Sequence, residues 1–263
     1  MRFNYYGDKN KPCIIMLAGS FCPGECMEYI YSKLCDDFYI IVPTYNGHYE
    51  NSGDFTARQN EAAEVKQCLI EKNISDVKMI YGQSMGAEIG MELISQLGSA
   101  GIGFDCAFFD GGPFITLSKA YKTFMYFKFR SLINIVRKKS VDELLKWKFL
   151  NQFTNGDTAS LRSMIESVAA IAPYLSDKSL KNEVECCYTF DFPTMDNNTQ
   201  NKLFFFYARE EKAFTTCFRF VKKAYPNAHF KVIKGYGHLT YSVRNTDKYV
   251  GWLKRICAKK STF

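Results

Sequence analysis

The residues with the clearest capacity for chemistry are Gly82-Gln83-Ser84-Met85-Gly86, a G-x-S-x-G segment. It follows the short apolar run Val77-Lys78-Met79-Ile80-Tyr81 and precedes Ala87-Glu88-Ile89-Gly90-Met91-Glu92-Leu93-Ile94, which carries an apolar helical face. Between a strand and a helix this spacing makes a nucleophile elbow, a sharp turn that strains the serine backbone and exposes its hydroxyl. Both glycines have a steric reason, because strand and helix pass too closely at the turn to admit side chains. Ser84 is therefore a candidate nucleophile toward a carbonyl, and that chemistry needs a base to take the hydroxyl proton. The chain has three histidines. His229 falls inside a predicted strand and reads as a packed sheet residue, and His48 lies in a turn. His238, in Lys234-Gly235-Tyr236-Gly237-His238-Leu239, follows the last predicted strand in a glycine-flexible loop.

The elements that would position these groups are read from periodicity. Short apolar runs occur at Pro12 to Leu17, Phe38 to Val42, Lys78 to Tyr81, Cys106 to Phe109, Leu203 to Tyr207 and His229 to Ile233. Runs of this kind suit strands buried on both faces of a parallel sheet. Helical patterns lie between them at Glu25 to Leu34, Thr56 to Lys72, Met85 to Leu97 and Ala213 to Ala224, with a last one at Asp247 to Lys259. The alternation predicts a doubly wound α/β fold. Between Pro113 and Lys202 the rhythm breaks. Lys119 to Lys138 predicts an amphipathic, aromatic-rich helix, and Val141 to Phe149 and Ala159 to Ala172 predict two more. A helical insertion there would sit over the strand ends as a lid.

With 263 residues and no Pro/Gly/Ser-rich or charged linker, one large domain with a substantial core is expected. The first residues carry charge and no apolar h-region, so no signal peptide is expected, and no apolar run is long enough to span a membrane. Ten cysteines lack metal-ligand spacing, and no second pair or histidine cluster completes Cys22-Pro23-Gly24-Glu25-Cys26. Cys13, Cys68 and Cys106 lie in apolar segments and read as buried thiols, which favours a reducing cytoplasm. Much of the net charge of +7 falls in Lys119, Lys122, Lys128, Arg130, Arg137, Lys138, Lys139, Lys146 and Lys148. Nucleic acid, an anionic substrate or an acidic membrane surface could each account for such a stretch, and so could a solvated helix face; no nucleic-acid partner is expected.

On these residues the chain resembles the alpha/beta-hydrolase superfamily, in the branch with a helical cap between the family's sixth and seventh strands. The likeness covers nearly the whole chain and implies a core of residues 1–113 and 202–263 with a cap at 114–201. The family's H-G-x oxyanion segment corresponds to Ala18-Gly19-Ser20, with Ala in place of His, and its G-H-G-x-S-like turn to Pro43 through Ser52. The resemblance implies His238 as general base, while His48 matches a turn histidine that the family does not use for that purpose. It implies the acid after the strand Leu203 to Tyr207, where Glu211 falls on the usual position. Glu210 is an adjacent alternative, and Asp110 is another because some capped members carry the acid after the sixth strand. The oxyanion hole would use the backbone N–H of Met85 and one from the Gly19-Ser20-Phe21 turn, taken as Ser20.

The resemblance implies a serine hydrolase acting on a carboxylic ester or thioester, with no metal or organic cofactor. The aromatic cap helix suggests a small-molecule substrate with an apolar acyl or aryl group. A C–C bond hydrolase, an aminopeptidase or an acyltransferase could use the same three residues, and a non-catalytic ligand-binding relative would share the fold. The oligomeric state is not legible.

Overall fold

The computed structural model describes residues 1–147 and 162–258. Seven strands form one sheet: β1 (Arg2–Tyr6), β2 (Cys13–Leu17), β3 (Tyr39–Thr44), β4 (Asp76–Gln83), β5 (Gly103–Asp110), β6 (Leu203–Ala208) and β7 (His229–Ile233). Their spatial order is β1-β3-β2-β4-β5-β6-β7, with β1 antiparallel to β3 and every other pair parallel. All six predicted apolar runs are parallel strands. The edge strand β1 was not expected. Its residues are exposed or half-buried, so it lacks the continuous apolar signal of the central strands. The helical insertion enters between β5 and β6.

The abundance of Phe and Tyr is explained by rows of rings crossing the sheet. Tyr81, Phe108 and Phe206 stack from strand to strand at 5.9 and 6.1 Å, and Tyr249 and Trp252 of the C-terminal helix Thr246–Cys257 cover that face. The opposite face carries Phe109, Phe205 and Phe230, with centroid separations of 5.6 and 5.4 Å. Period-two alternation assigns the two sets to opposite faces. Burying each such ring contributes about 1.5–3 kcal/mol over leaving it exposed.

The helix Met85–Leu97 has the predicted limits, and Arg58–Glu71, Lys212–Ala224 and Thr246–Cys257 lie within two residues of theirs where described; Lys259 lies outside the described residues. Glu25 to Leu34 is instead a 3-10 turn, Gly24–Met27, followed by the single α-turn Glu28–Tyr31.

The described part of the insertion contains the helices Lys119–Val136, Val141–Leu145, Arg162–Ile171, Asp177–Cys187 and Asn197–Gln200. Val141–Leu145 starts with a capping box on Ser140 and Glu143, as a Ser-x-x-Glu sequence favours. It stops four residues short of the predicted end, and Phe149, like Ala159, lies outside the described residues. Thr116 and Phe190, near the two ends of the insertion, exchange hydrogen bonds with each other, and Arg58 of the helix Arg58–Glu71 donates to the carbonyls of Cys186 and Thr189. Phe114, Cys186, Cys187 and Phe190 join the main hydrophobic core, while Ile133, Ile171, Leu175 and Leu180 form a second core inside the insertion.

Candidate active site

The turn after β4 holds Ser84 at φ 51° and ψ −121°, in the left-handed half of backbone space that a β-carbon disfavours. The geometry is forced by crowding. A β-carbon on Gly82 would lie 2.5 Å from the Gly86 carbonyl, and one on Gly86 would collide with the Leu17 carbonyl of β2. Ser84 is the residue before the helix Met85–Leu97, so the helix N-terminus, with its unpaired N–H groups and partial positive charge, opens beside the hydroxyl. Across the sheet, the Ser84 N–H donates to the Asp110 carbonyl at 2.8 Å.

The loops after β6 and β7 meet at the same end of the sheet. His238 Nδ1 lies 2.5 Å from Glu211 Oε2. The other Glu211 oxygen accepts the Ala208 N–H at 2.8 Å, so both oxygens are fixed. Glu211 immediately precedes the helix Lys212–Ala224. Its side chain is 1% exposed and that of His238 is 28% exposed. The imidazole packs against Gly111, where a β-carbon would sit 2.6 Å from Cε1 and 2.9 Å from Glu211 Oε2. Gly111 follows the residue that accepts the Ser84 N–H, so Ser84, Gly111, Glu211 and His238 come together at neighbouring strand ends. With a carboxylate on Nδ1, that nitrogen carries the proton and Nε2 is left as the basic position.

Neither alternative acid is hydrogen-bonded to His238. Asp110 Oδ2 accepts the Tyr249 hydroxyl at 2.6 Å, and Glu210 is exposed, accepting the Tyr236 N–H at 3.3 Å. Asp110 caps a buried polar chain in which Tyr249 meets Tyr81 at 3.0 Å and Gln83 donates to Tyr81 and Tyr29 at 2.8 and 2.9 Å. Burial, then the nearby Glu211 charge, push the Asp110 carboxyl up to about 7. For His238, burial works to lower the imidazole value, but the Glu211 hydrogen bond and charge, with Asp110 behind, outweigh it and raise the net value. His229 stacks on Phe204 at 4.4 Å and meets the Asn201 carbonyl, as a sheet histidine should. His48 is fully buried on Glu183, remote in sequence.

The turn after β2 supplies Ser20. Tyr45 donates its hydroxyl to the Ala18 carbonyl at 3.0 Å, the Phe21 N–H donates to Glu183 Oε2 at 2.9 Å, and the Ser20 hydroxyl meets Cys187 Sγ at 3.1 Å. The Ser20 N–H has no hydrogen-bond acceptor among the described residues. Phe21 at φ 58° and Leu239 at φ 59° share the positive φ of Ser84. Such strain in bulky residues costs of order 1–3 kcal/mol each, and here it occurs beside Ser20, at Ser84 and beside His238.

Sequence reading missed Tyr45, Tyr249, Glu183 and Cys187. The last two sit on Asp177–Cys187, which was not an expected helix. Its Leu180, Val184 and Cys187 have helical spacing, and Glu183 lies on the same stripe. A charged residue on an apolar face was the available signal. On Lys119–Val136, Phe129 packs against Phe21 at 5.1 Å, whereas Tyr121, Phe124 and Phe127 are exposed. The outward set does not line the site.

The sheet order and the turn at Ser84 are those of the alpha/beta-hydrolase fold. Solved structures with the same fold include MenH from S. aureus, with a TM-score of 0.73 and 12% identity over 98% of both chains. An enol-lactonase from Burkholderia xenovorans LB400 matches at 0.73 and 12% over 98% of this chain and 96% of that one. The esterase EaEST from Exiguobacterium antarcticum matches at 0.72 and 15% over 97% and 94%. At these identities the likeness concerns the fold. No protein-family model and no curated protein sequence matches the chain.

Proposed function

We propose that this chain is a serine hydrolase that cleaves a carboxylic ester or thioester through an acyl-enzyme on Ser84. The observation that carries this reading is the imidazole of His238, held by the buried Glu211 at 2.5 Å and set against Gly111, the residue after the one whose carbonyl accepts the Ser84 N–H. In the reaction, Ser84 Oγ attacks the carbonyl carbon and His238 Nε2 takes its proton. The Ser20 and Met85 N–H groups receive the oxyanion, and His238 returns the proton to the leaving alcohol or thiol. Water then attacks the acyl-enzyme by the same route, releasing the acid and Ser84. Glu211 orients the imidazole and stabilises its cation. The chemistry needs the chain's own groups and water. The insertion at 114–201 acts as the cap over this site, and Phe129, packed against Phe21 next to Ser20, is the aromatic of its first helix that supports an apolar acyl or aryl group.

We assign the protein to the cytoplasm. None of the ten cysteines is in a disulfide, and nine are buried, which suits a reducing compartment. No helix among the described residues is long and apolar enough to cross a membrane. The test of the reading is labelling by a fluorophosphonate together with hydrolysis across a p-nitrophenyl ester series of increasing chain length. Labelling that disappears in Ser84→Ala supports it; an unlabelled wild type that hydrolyses none of the esters rejects it.

A further inference from the structure

The cap reaches the site through one closed ring of hydrogen bonds. The Cys22 carbonyl contacts His48 Nδ1 at 3.2 Å, His48 Nε2 contacts Glu183 Oε1 at 2.8 Å, and Glu183 Oε2 accepts the Phe21 N–H at 2.9 Å. Phe21 and Cys22 are consecutive, so the ring closes on the turn that carries Ser20. His48 and Glu183 are both fully buried. Such a pair is costly to assemble, and removing one member leaves a polar or charged group stranded. It links three segments that are distant in sequence: the turn after β2, the turn after β3 and the helix Asp177–Cys187.

Two further contacts tie the same turn to the same insertion. Glu183 and Cys187 are four residues apart and so share a helix face, and they engage the consecutive residues Phe21 and Ser20. The Phe21 ring enters the insertion's own core, among Ile133, Ile171, Ala172, Leu175 and Leu180. Phe21 also holds φ 58°, a conformation that a phenylalanine adopts only when its surroundings impose it. The Glu183 carboxylate on its N–H and the ring in the cap core are the contacts that impose it. The preceding peptide bears the Ser20 N–H, so the orientation of that donor follows the setting of Phe21.

We propose that Glu183 is a positioning residue for the oxyanion hole: it clamps the Phe21 peptide so that the Ser20 N–H is presented to the reacting carbonyl only while the helix Asp177–Cys187 is seated. This rests on the acyl-enzyme reading of Ser84. The cap is then part of the catalytic apparatus as well as a cover. Displacing this helix would release the turn and switch off stabilisation of the oxyanion before any catalytic side chain moved.

The experiment compares Glu183→Ala, Glu183→Asp and Glu183→Gln with wild type, using p-nitrophenyl butyrate and correcting rates for the folded fraction by near-UV circular dichroism. Gln retains an oxygen for the Phe21 N–H and an N–H for His48 Nε2. Asp keeps the charge but is one methylene short. The expected result is a fall in kcat of about 10- to 100-fold for Ala, since loss of an oxyanion donor costs about 10²–10³ and misplacement somewhat less. KM should stay within about threefold, Asp should be impaired, and Gln should recover most of kcat. If Ala does not fold, Asp and Gln carry the comparison. A wild-type kcat in Asp, or a loss in Gln equal to that in Asp, overturns the proposal. So does an Ala variant that is only less stable. Fluorophosphonate labelling of Ser84 in wild type separates these outcomes from failure of the hydrolase reading, which would leave the wild type unlabelled.

Discussion

Asp110 is joined to Ser84 through its backbone, while its side chain is held by Tyr249 and makes no hydrogen bond to His238. Its carbonyl accepts the Ser84 N–H at 2.8 Å, while its carboxyl takes the Tyr249 hydroxyl at 2.6 Å. One residue thus braces the nucleophile turn and leaves the imidazole to Glu211. Parallel assays of Glu211→Gln and Asp110→Asn read this division. Glu211→Gln should lose about 10⁴ in turnover, as when an orienting carboxylate is neutralised. Asp110→Asn should retain turnover within about tenfold and lose stability. The opposite ranking would show that Asp110 is the acid.

Ser84→Ala should lower kcat by about 10⁴-fold or more, because nucleophile and base act as a unit. Alanine accepts the same left-handed backbone at similar cost, so the melting temperature should move by no more than about 3 °C. Esterase activity near wild type in a folded variant would remove Ser84 from the mechanism.

The pH profile of kcat/KM follows from the raised His238 value. Only the neutral imidazole can accept the Ser84 proton, so activity should fall on the acid side, with its midpoint above the ordinary histidine value of about 6.5. Stability runs the other way: the His238–Glu211 contribution is fully present below the unfolded histidine value and is lost as pH rises through the raised one. In Glu211→Gln the acid midpoint should shift downward, because burial then acts on the imidazole without its partner. An unchanged midpoint would show that another group controls the limb.

Glu88, on the helix behind Ser84, is fully buried, and its Oε1 has no hydrogen-bond partner among the described residues. Burial pushes its carboxyl well above the usual range, against the opposing pull of Arg58 and Cys186. As pH rises from the ordinary carboxylate range toward this raised value, the unfolded chain ionises Glu88 while the folded chain does not, so stability falls. Glu88→Met, close in volume, should therefore raise unfolding stability by about 1–3 kcal/mol, and by more at pH 8 than at pH 5. Urea titrations at both pH values measure this. A destabilised variant at pH 8 would mean that the carboxyl is satisfied in solution.

The parts of the molecule legible in sequence are those where a few adjacent residues determine the geometry. The elbow is local: Gly82, Ser84 and Gly86 carry their steric requirement in five residues, and the helix Met85–Leu97 follows at the predicted limits. The buried parallel strands announce themselves by unbroken apolar runs. Strand β1 and the helix Asp177–Cys187 do not, because an edge strand is half-wet and the helix buries Glu183 on the face that should be apolar. Glu183 finds its reason only in Phe21 and His48, which lie 162 and 135 positions away. Glu211 over Glu210 came from a family pattern, and its geometric basis is the sharp turn that sends one carboxylate inward and leaves its neighbour on the surface.

The bracing of Asp110 by Tyr249 has a consequence for how the protein is made. Tyr249 belongs to the helix Thr246–Cys257, and His238 lies only a short way before it, whereas the Ser84 elbow is translated in the first third of the chain. A nascent polypeptide therefore carries its nucleophile for most of its synthesis with neither the base nor the tyrosine that pins the neighbouring strand. On the proposed mechanism, a nascent chain that ends short of His238 would have no base for Ser84, and hydrolytic competence would arrive only once the helix Thr246–Cys257 covers the sheet.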